Sequence, residues 1–444
     1  MKHFILLLVC TLCLSFSVQA DELNFSMQYI PRAEFRSGYL SPLPESSDPA
    51  NFIMQRARIG IDYQHGPMQF SMAMQETRVW GQDMSTTAYR VEEQNDGMMI
   101  HEAWGKYTID SALFNQSLSF KFGRQEIKYD DQRLLGNLDW LRQARRHDAL
   151  IIGLKNDDGS FLDIGLAFNQ NAENKTGDYY KGSTTSYGAG SNGIAQMYKS
   201  FIYAYYSGTT IPIQVLYFND NFSRLTDTLK TGETTARHTA GLKYEYKPGA
   251  ASISASGYYQ FGYDARNLEL AAYFYDIQAK YTMGDFTFGL LYDFSSGSNV
   301  KDGALNDTKS STFDPLYGTP HKFYGLMDYY YAGSSIGYTG VQDIKASVAY
   351  SLAKNLSLNL DIHSFSMTSD YLYRDELLDR NLGMEFDFTT SYKPTPKIKV
   401  ELGACAYSTT NSLAIMKNVN NIDSLSTFFY LAFRFEDITS LIKH

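Results

Sequence analysis

The chain has 444 residues, a formal charge of −9 at pH 7, 44% hydrophobic residues and 15% aromatic residues, with 35 Tyr and 28 Phe. This acidic balance excludes the basic footprint on which nucleic-acid binding depends. After the N-terminus no run reaches the ~18–20 apolar residues of a spanning helix, so any membrane-spanning form has to be a β-barrel.

Residues 1–20 (MKHFILLLVCTLCLSFSVQA) join a basic start at Lys2 and His3, an apolar run from Phe4 to Phe16 and a small-x-small site at Val18-Gln19-Ala20. That is a secretory signal peptide, which places the start of the exported chain near Asp21. Losing Lys2 takes one positive charge from −9 and leaves −10. Cys10 and Cys13 leave with it, so Cys405 stands alone and no internal disulfide is available.

From Leu23 onward apolar and polar residues alternate with the period of a strand. The first nine segments are Leu23–Arg36, Phe52–His65, Met68–Trp80, Met99–Ile109, Ser117–Lys128, Ala149–Lys155, Ser160–Gln170, Met197–Ser207 and Ile211–Asn221. Nine more are Thr234–Tyr246, Ala251–Tyr263, Leu268–Met283, Asp285–Phe294, Val341–Tyr350, Leu356–Ser366, Gly383–Ser391, Ile398–Tyr407 and Ser426–Phe435. Many approach the ~9–11 residues of a tilted membrane strand. Turn-formers such as His65-Gly66-Pro67, Lys247-Pro248-Gly249 and Met283-Gly284-Asp285 alternate with longer loops, among them Ser37–Asn51, Gly81–Met98, Tyr129–Asp148, Asn171–Gln196, Phe222–Glu233, Met367–Leu382 and Ser408–Leu425.

Short turns on one rim and long loops on the other are the arrangement of an outer-membrane barrel. The expected fold is therefore all-β: an antiparallel up-and-down transmembrane barrel of about 18 strands over residues 21–435, with a tail at 436–444. Abundant Tyr suits the aromatic girdles of such a barrel. The connection Asp264–Asn267 is unexpectedly short, and Ser295–Gly340 is very long. The latter divides into a polar half, Ser295–Ser311, and an aromatic half, Phe313–Tyr331, expected to fold inward or pack on the rim.

Barrel parity puts Phe25, Met27, Tyr29 and Ala33 on the lipid side of the first segment, and Gln28, Arg32, Glu34 and Arg36 on the lumen side. A basic side chain facing lipid near the midplane costs roughly 2–4 kcal/mol, so basic residues are expected inside. The candidate solute path is Arg32, Arg36, Arg56, Arg58, Lys106, Lys121, Arg124, Arg237 and Lys243. Two arrangements fit these residues. One is a ladder that lowers the barrier for an anion. The other is a set of ion-pair networks with Glu34, Asp62, Glu102, Glu126 and Glu245.

The mixed-sign loop after the fifth segment supplies a candidate constriction from Asp130, Asp131, Arg133, Arg142 and Arg145, or else a salt-bridged rim. Its Asp130-Asp131 pair could hold a cation such as Ca²⁺; no other cofactor is expected. His101, His147, His238, His321 and His363 lack metal-ligand spacing, and no G-x-S-x-G, Walker or paired-cysteine motif occurs.

Two stretches, FGRQEIKYDDQRLLGNLDW (Phe122–Trp140) and FDPLYGTPHKFYGLMDYYY (Phe313–Tyr331), resemble the alginate export family of outer-membrane porins, the second in the form found in its Bacteroidetes branch. The resemblance implies a monomeric 18-stranded barrel in the outer membrane of a Gram-negative bacterium, with an arginine-rich lumen that conducts an anionic polysaccharide. Barrels of this type usually end on an aromatic residue that the barrel-assembly machinery reads; here Phe435 is followed by Glu436–His444. The expected function is passive diffusion of an anionic, saccharide-derived solute, without enzymatic activity. A membrane-anchored barrel hydrolase and a surface-binding barrel with a plugged lumen are the alternatives.

Overall fold

The computed structural model describes residues 22–81, 98–113, 116–170, 198–225, 230–264, 267–330, 337–419 and 425–443. The expected signal peptide, residues 1–20, lies outside them, as do residues 82–97 of the expected Gly81–Met98 loop and all of the expected Asn171–Gln196 loop. In chain order the strands are β1 (Glu22–Ser37), β2 (Ala50–His65), β3 (Met68–Val79), β4 (Met99–Leu113), β5 (Gln116–Gln125), β6 (His147–Lys155), β7 (Phe161–Phe168), β8 (Ser200–Ser207), β9 (Ile213–Leu225), β10 (Lys230–Tyr246) and β11 (Ala251–Tyr263). They continue with β12 (Glu269–Met283), β13 (Phe286–Ser295), β14 (Val300–Lys301), β15 (Ala304–Leu305), β16 (Gln342–Ala353), β17 (Leu356–Ser366), β18 (Tyr371–Tyr373), β19 (Glu376–Leu377), β20 (Asn381–Thr395), β21 (Ile398–Thr409) and β22 (Ser426–Lys443).

Every alternating segment of the sequence becomes a strand of one 18-stranded antiparallel sheet, which β1 closes by pairing with both β2 and β22. Closure leaves no long unpaired edge in the hydrocarbon, which is the condition for spanning a bilayer with strands. No helix among the described residues is long and apolar enough to cross a membrane. The four remaining strands, β14, β15, β18 and β19, form a small separate sheet joining the loop before β16 to the loop after β17.

The alternation is sorted inside out. Met27, Ile59, Ile61, Phe122, Leu290 and Phe386 are exposed on the outer wall, whereas Arg32, Glu34, Arg56, Arg237, Asp293 and Glu385 are buried within. Aromatic residues fill much of the interior: Tyr203, Phe218, Tyr329 and Tyr407 are fully buried. A barrel of this size leaves room for water, and here two loops occupy part of that space.

Two expectations need correction. Residues 436–443 are not a tail: β22 runs on to Lys443, because β1 begins at Glu22 and offers ladder partners all the way to the Glu22–Lys443 register pair. Phe222–Glu233 is not a long loop either, because β9 reaches Leu225 and β10 starts at Lys230.

Candidate functional site: the lumenal constriction

Residues 126–146 and 313–330 enter the barrel and zip together. Gly136 N–H donates to the Tyr317 carbonyl (2.9 Å), Tyr317 N–H to Leu134 (3.0 Å) and Thr319 N–H to Gln132 (2.8 Å). Asp130, Gln132, Leu138 and Ala144 adopt positive φ of 51°, 71°, 50° and 51°, so neither helix nor strand can persist through the first loop.

Ion pairs and a hydrogen bond then pin this loop to the wall from β8 to β13. Arg133 is buried against Asp293 of β13 and stacks 3.6 Å over the Phe323 ring. Asp131 pairs with Lys243, and Asp130 accepts a hydrogen bond from Tyr205. Burial opposes the charge of Arg133, but Asp293 and Asp276 outweigh it and hold the guanidinium well above its usual range. Burial also acts against Asp131, yet Arg133 and Lys243 keep its carboxyl below the usual carboxylate range. Asp130 goes the other way, because burial dominates the Tyr205 hydrogen bond.

At the start of the loop Glu126 accepts from Asn137 (2.8 Å) and meets His101 (2.8 Å), Lys128 (3.1 Å) and Arg58 (3.6 Å). Burial raises the Glu126 carboxyl, but His101, Asn137 and Lys128 together bring it down to about 2.

The second loop is fastened as firmly. The Tyr317 hydroxyl donates to Asp220 (2.8 Å), and Tyr324 to Asp293 (3.0 Å). Backbone N–H groups of Leu326 and Met327 donate to Asp387 (3.0 Å) and Glu385 (2.7 Å). Gly325 permits this approach: its φ is +79°, and a Cβ there would stand 2.3 Å from the Glu385 carboxylate.

Against the wall of β1, β2, β21 and β22 the loops leave a cavity of about 360 Å³. Its charged lining comprises six cations (Arg32, Arg56, Arg142, Lys322, Lys399 and Arg434) and two acids (Asp139 and Glu401), a formal excess of +4 by subtraction. Trp140 projects into it, with the Arg32 guanidinium 3.7 Å from one ring centroid and His321 stacked at 4.0 Å. Asp139 carries its carboxylate to Arg56 (2.7 Å), Arg434 (2.9 Å) and, at 3.8 Å, Arg58. Burial opposes that charge, but Arg56 and Arg434 prevail and hold the carboxyl far below the usual range.

Eight of the nine sequence-derived path residues fall into three groups. Arg32, Arg56 and Arg58 sit at or beside the cavity; Arg32 also donates to Glu34 (2.6 Å) and Arg58 to Gln75 (2.5 Å). Lys106 and Lys121 face the lumen directly opposite one another in register, with Lys121 4.0 Å from the Trp104 ring centroid. Arg36, Arg237 and Lys243 are inward but engaged: Arg36 with Glu34 (2.6 Å), Arg237 with Asp220 (2.6 Å) and Asp314 (2.9 Å), and Lys243 with Asp131.

Arg124 departs from the expected path. It shares a register row with Ala103 and Asp148, and Ala103 lies beside the outward-facing Met72, so Arg124 points away from the lumen and pairs with Asp148 (2.8 Å). The strict alternation along β5 forces this, since Lys121 and Gln125 take the inner face. Of the loop residues, Arg142 lines the cavity, while Arg145 donates to the Gly318 carbonyl (2.8 Å) and braces the two loops together. Asp130 and Asp131 diverge to Tyr205 and Lys243, and among the described residues no cluster of three or more His, Cys, Asp or Glu is arranged to hold a metal.

Sequence reasoning overlooked Lys399, Glu401 and Arg434. Lys399 and Glu401 alternate with Val400 and Leu402, a legible signal. Arg434 shares its parity with Phe428 and Tyr430, and those aromatics disguise the inner face of β22.

Solved structures share this architecture. OpdK of Pseudomonas aeruginosa, described with vanillate, is 12% identical, with 95% of this chain and 100% of that one covered at a TM-score of 0.60. OccAB1 of Acinetobacter baumannii is 10% identical, with 96% and 99% covered at 0.58. A BenF-like porin from Pseudomonas fluorescens Pf-5 is 10% identical, with 95% and 100% covered at 0.58. No curated protein matches the chain in sequence. At such identities the structures establish the outer-membrane porin fold, and the alginate export profile matches residues 21–415, nearly the whole barrel. The chain belongs to the alginate export family, as an 18-stranded barrel of the Gram-negative outer membrane.

Proposed function

We propose that the protein is a passive channel for an anionic, saccharide-derived solute and carries no enzymatic activity. The supporting observation is the charge of the constriction: six cations against two acids around a 360 Å³ cavity, in a chain whose overall charge is −9. A cationic constriction lowers the barrier for an anion, and partial neutralisation by Asp139 and Glu401 keeps the site from trapping it. The concentration gradient alone drives transport. We also propose that the barrel works as a monomer and is inserted by the barrel-assembly machinery.

Liposomes containing the purified protein test this by swelling. Sodium glucuronate should enter faster than glucose or glucosamine, and equal rates for all three would reject the anionic substrate. A surface-binding barrel with a closed lumen is the second reading, favoured by the full burial of Met327 and Tyr329 in the inner loop. It predicts no swelling with any solute.

A further inference from the structure

We infer that the Asp139 carboxylate is an internal competitor, seated where the acidic group of the solute binds and displaced by it during passage. The inference rests on the anionic-solute reading above and identifies the seat within it.

Three guanidiniums converge on this carboxylate: Arg56 at 2.7 Å, Arg434 at 2.9 Å and Arg58 at 3.8 Å. All three project from barrel strands, so the cationic side of the seat is rigid, while the anion comes from a loop. Three fully covered ion pairs elsewhere in the lumen look different. The carboxylates of Glu34, Asp220 and Asp293 have no exposed side-chain surface, so nothing can exchange with them. Asp139 keeps 31% of its side chain exposed, and that surface opens on the cavity.

The loop backbone is secured without the carboxylate. Arg56 Nη1 donates to the Asp139 carbonyl at 3.1 Å, and Arg32 Nη1 to the Trp140 carbonyl at 2.9 Å. The Asp139 side chain can therefore swing out while the backbone stays in place, leaving a three-arginine seat matched to a carboxylate, beside Trp140. Were the seat filled by its own acid about nine-tenths of the time, an incoming anion would bind about tenfold more weakly.

The test uses the full-length protein in planar bilayers, with sodium glucuronate added to KCl as a blocker of the chloride current and glucose entry into liposomes as the control. Asp139→Asn should lower the half-blocking glucuronate concentration about tenfold and change glucose entry by a far smaller factor, with Asp139→Ala shifting the block in the same direction. The inference is overturned if the block moves less than twofold while anion preference persists. It is equally overturned if glucose entry rises by a comparable factor along with the glucuronate block, because the loop has then merely loosened. Cation preference in both wild type and variant, without block, would instead reject the anionic-solute reading and this inference with it.

Discussion

Adjacent residues of β17 give the inside-out assignment its sharpest consequence. Leu360 lies on the outer wall, in register with Val348 and Phe388 and flanked along its own strand by Leu358 and Ile362. Asn359, one residue earlier, faces the lumen and donates a hydrogen bond to Asp361 at 3.0 Å. Leu360→Arg would place a guanidinium in the middle of an apolar band, at a cost of roughly 2–4 kcal/mol for a lipid-facing site near the midplane. Asn359→Arg adds the same charge on the wet face, within reach of Asp361, where paired surface charges change stability by only about 0–1 kcal/mol. Reversible guanidinium unfolding in phospholipid vesicles, followed by tryptophan fluorescence, measures both. Leu360→Arg is expected to make the folding equilibrium about thirty-fold to several hundred-fold less favourable, against at most about fivefold for Asn359→Arg. Equal costs for the two variants, or a greater cost for Asn359→Arg, would refute the facial assignment.

Arg133→Met removes the cation opposite buried Asp293; deleting one partner of a buried pair costs about 3–5 kcal/mol, so the inner loops should loosen and single-channel conductance rise and become noisier. Unchanged conductance would mean the loops are held without this pair. The Glu126 carboxyl is lowered to about 2, so its contribution is present above the ordinary carboxylate range and is lost as the pH falls toward 2. With Trp80 and Trp104 replaced by Phe, Trp140 fluorescence should stay constant from pH 7 to 5 and shift red with a midpoint below 4; a midpoint at or above 4.5 would contradict the stated network. Neutralising Arg56, Arg58 and Lys121 together should weaken anion preference, and an unaltered reversal potential would show that these three do not set it.

Much of this architecture was legible from periodicity. Period-two alternation located all 18 barrel strands, and turn chemistry separated the short rim from the long one, because both signals are local. The exact end of β22 was hidden, since pairing of 436–443 depends on how far β1 extends, a nonlocal fact. Lumen-facing parity was readable at Arg32, Arg56 and Lys121, where a charge alternates with aliphatic or aromatic neighbours. At Arg124 parity is readable too, since it shares the lipid side with Phe120 and Phe122, and only the cost rule for basic side chains points it inward. What a given cation does was out of reach. Arg237 and Arg32 carry equivalent signals in the sequence, yet Asp314 of the inner loop covers one and the cavity opens on the other. Such partners are supplied by loops without periodicity, and only the folded chain brings them together.

The central claim is that the constriction's positive charge governs what crosses. Reversal potential of the wild-type protein in a planar bilayer under a KCl gradient reads that charge directly. A potential on the chloride side of zero is the predicted result; one on the potassium side would contradict the account, whatever the rest of the barrel looks like.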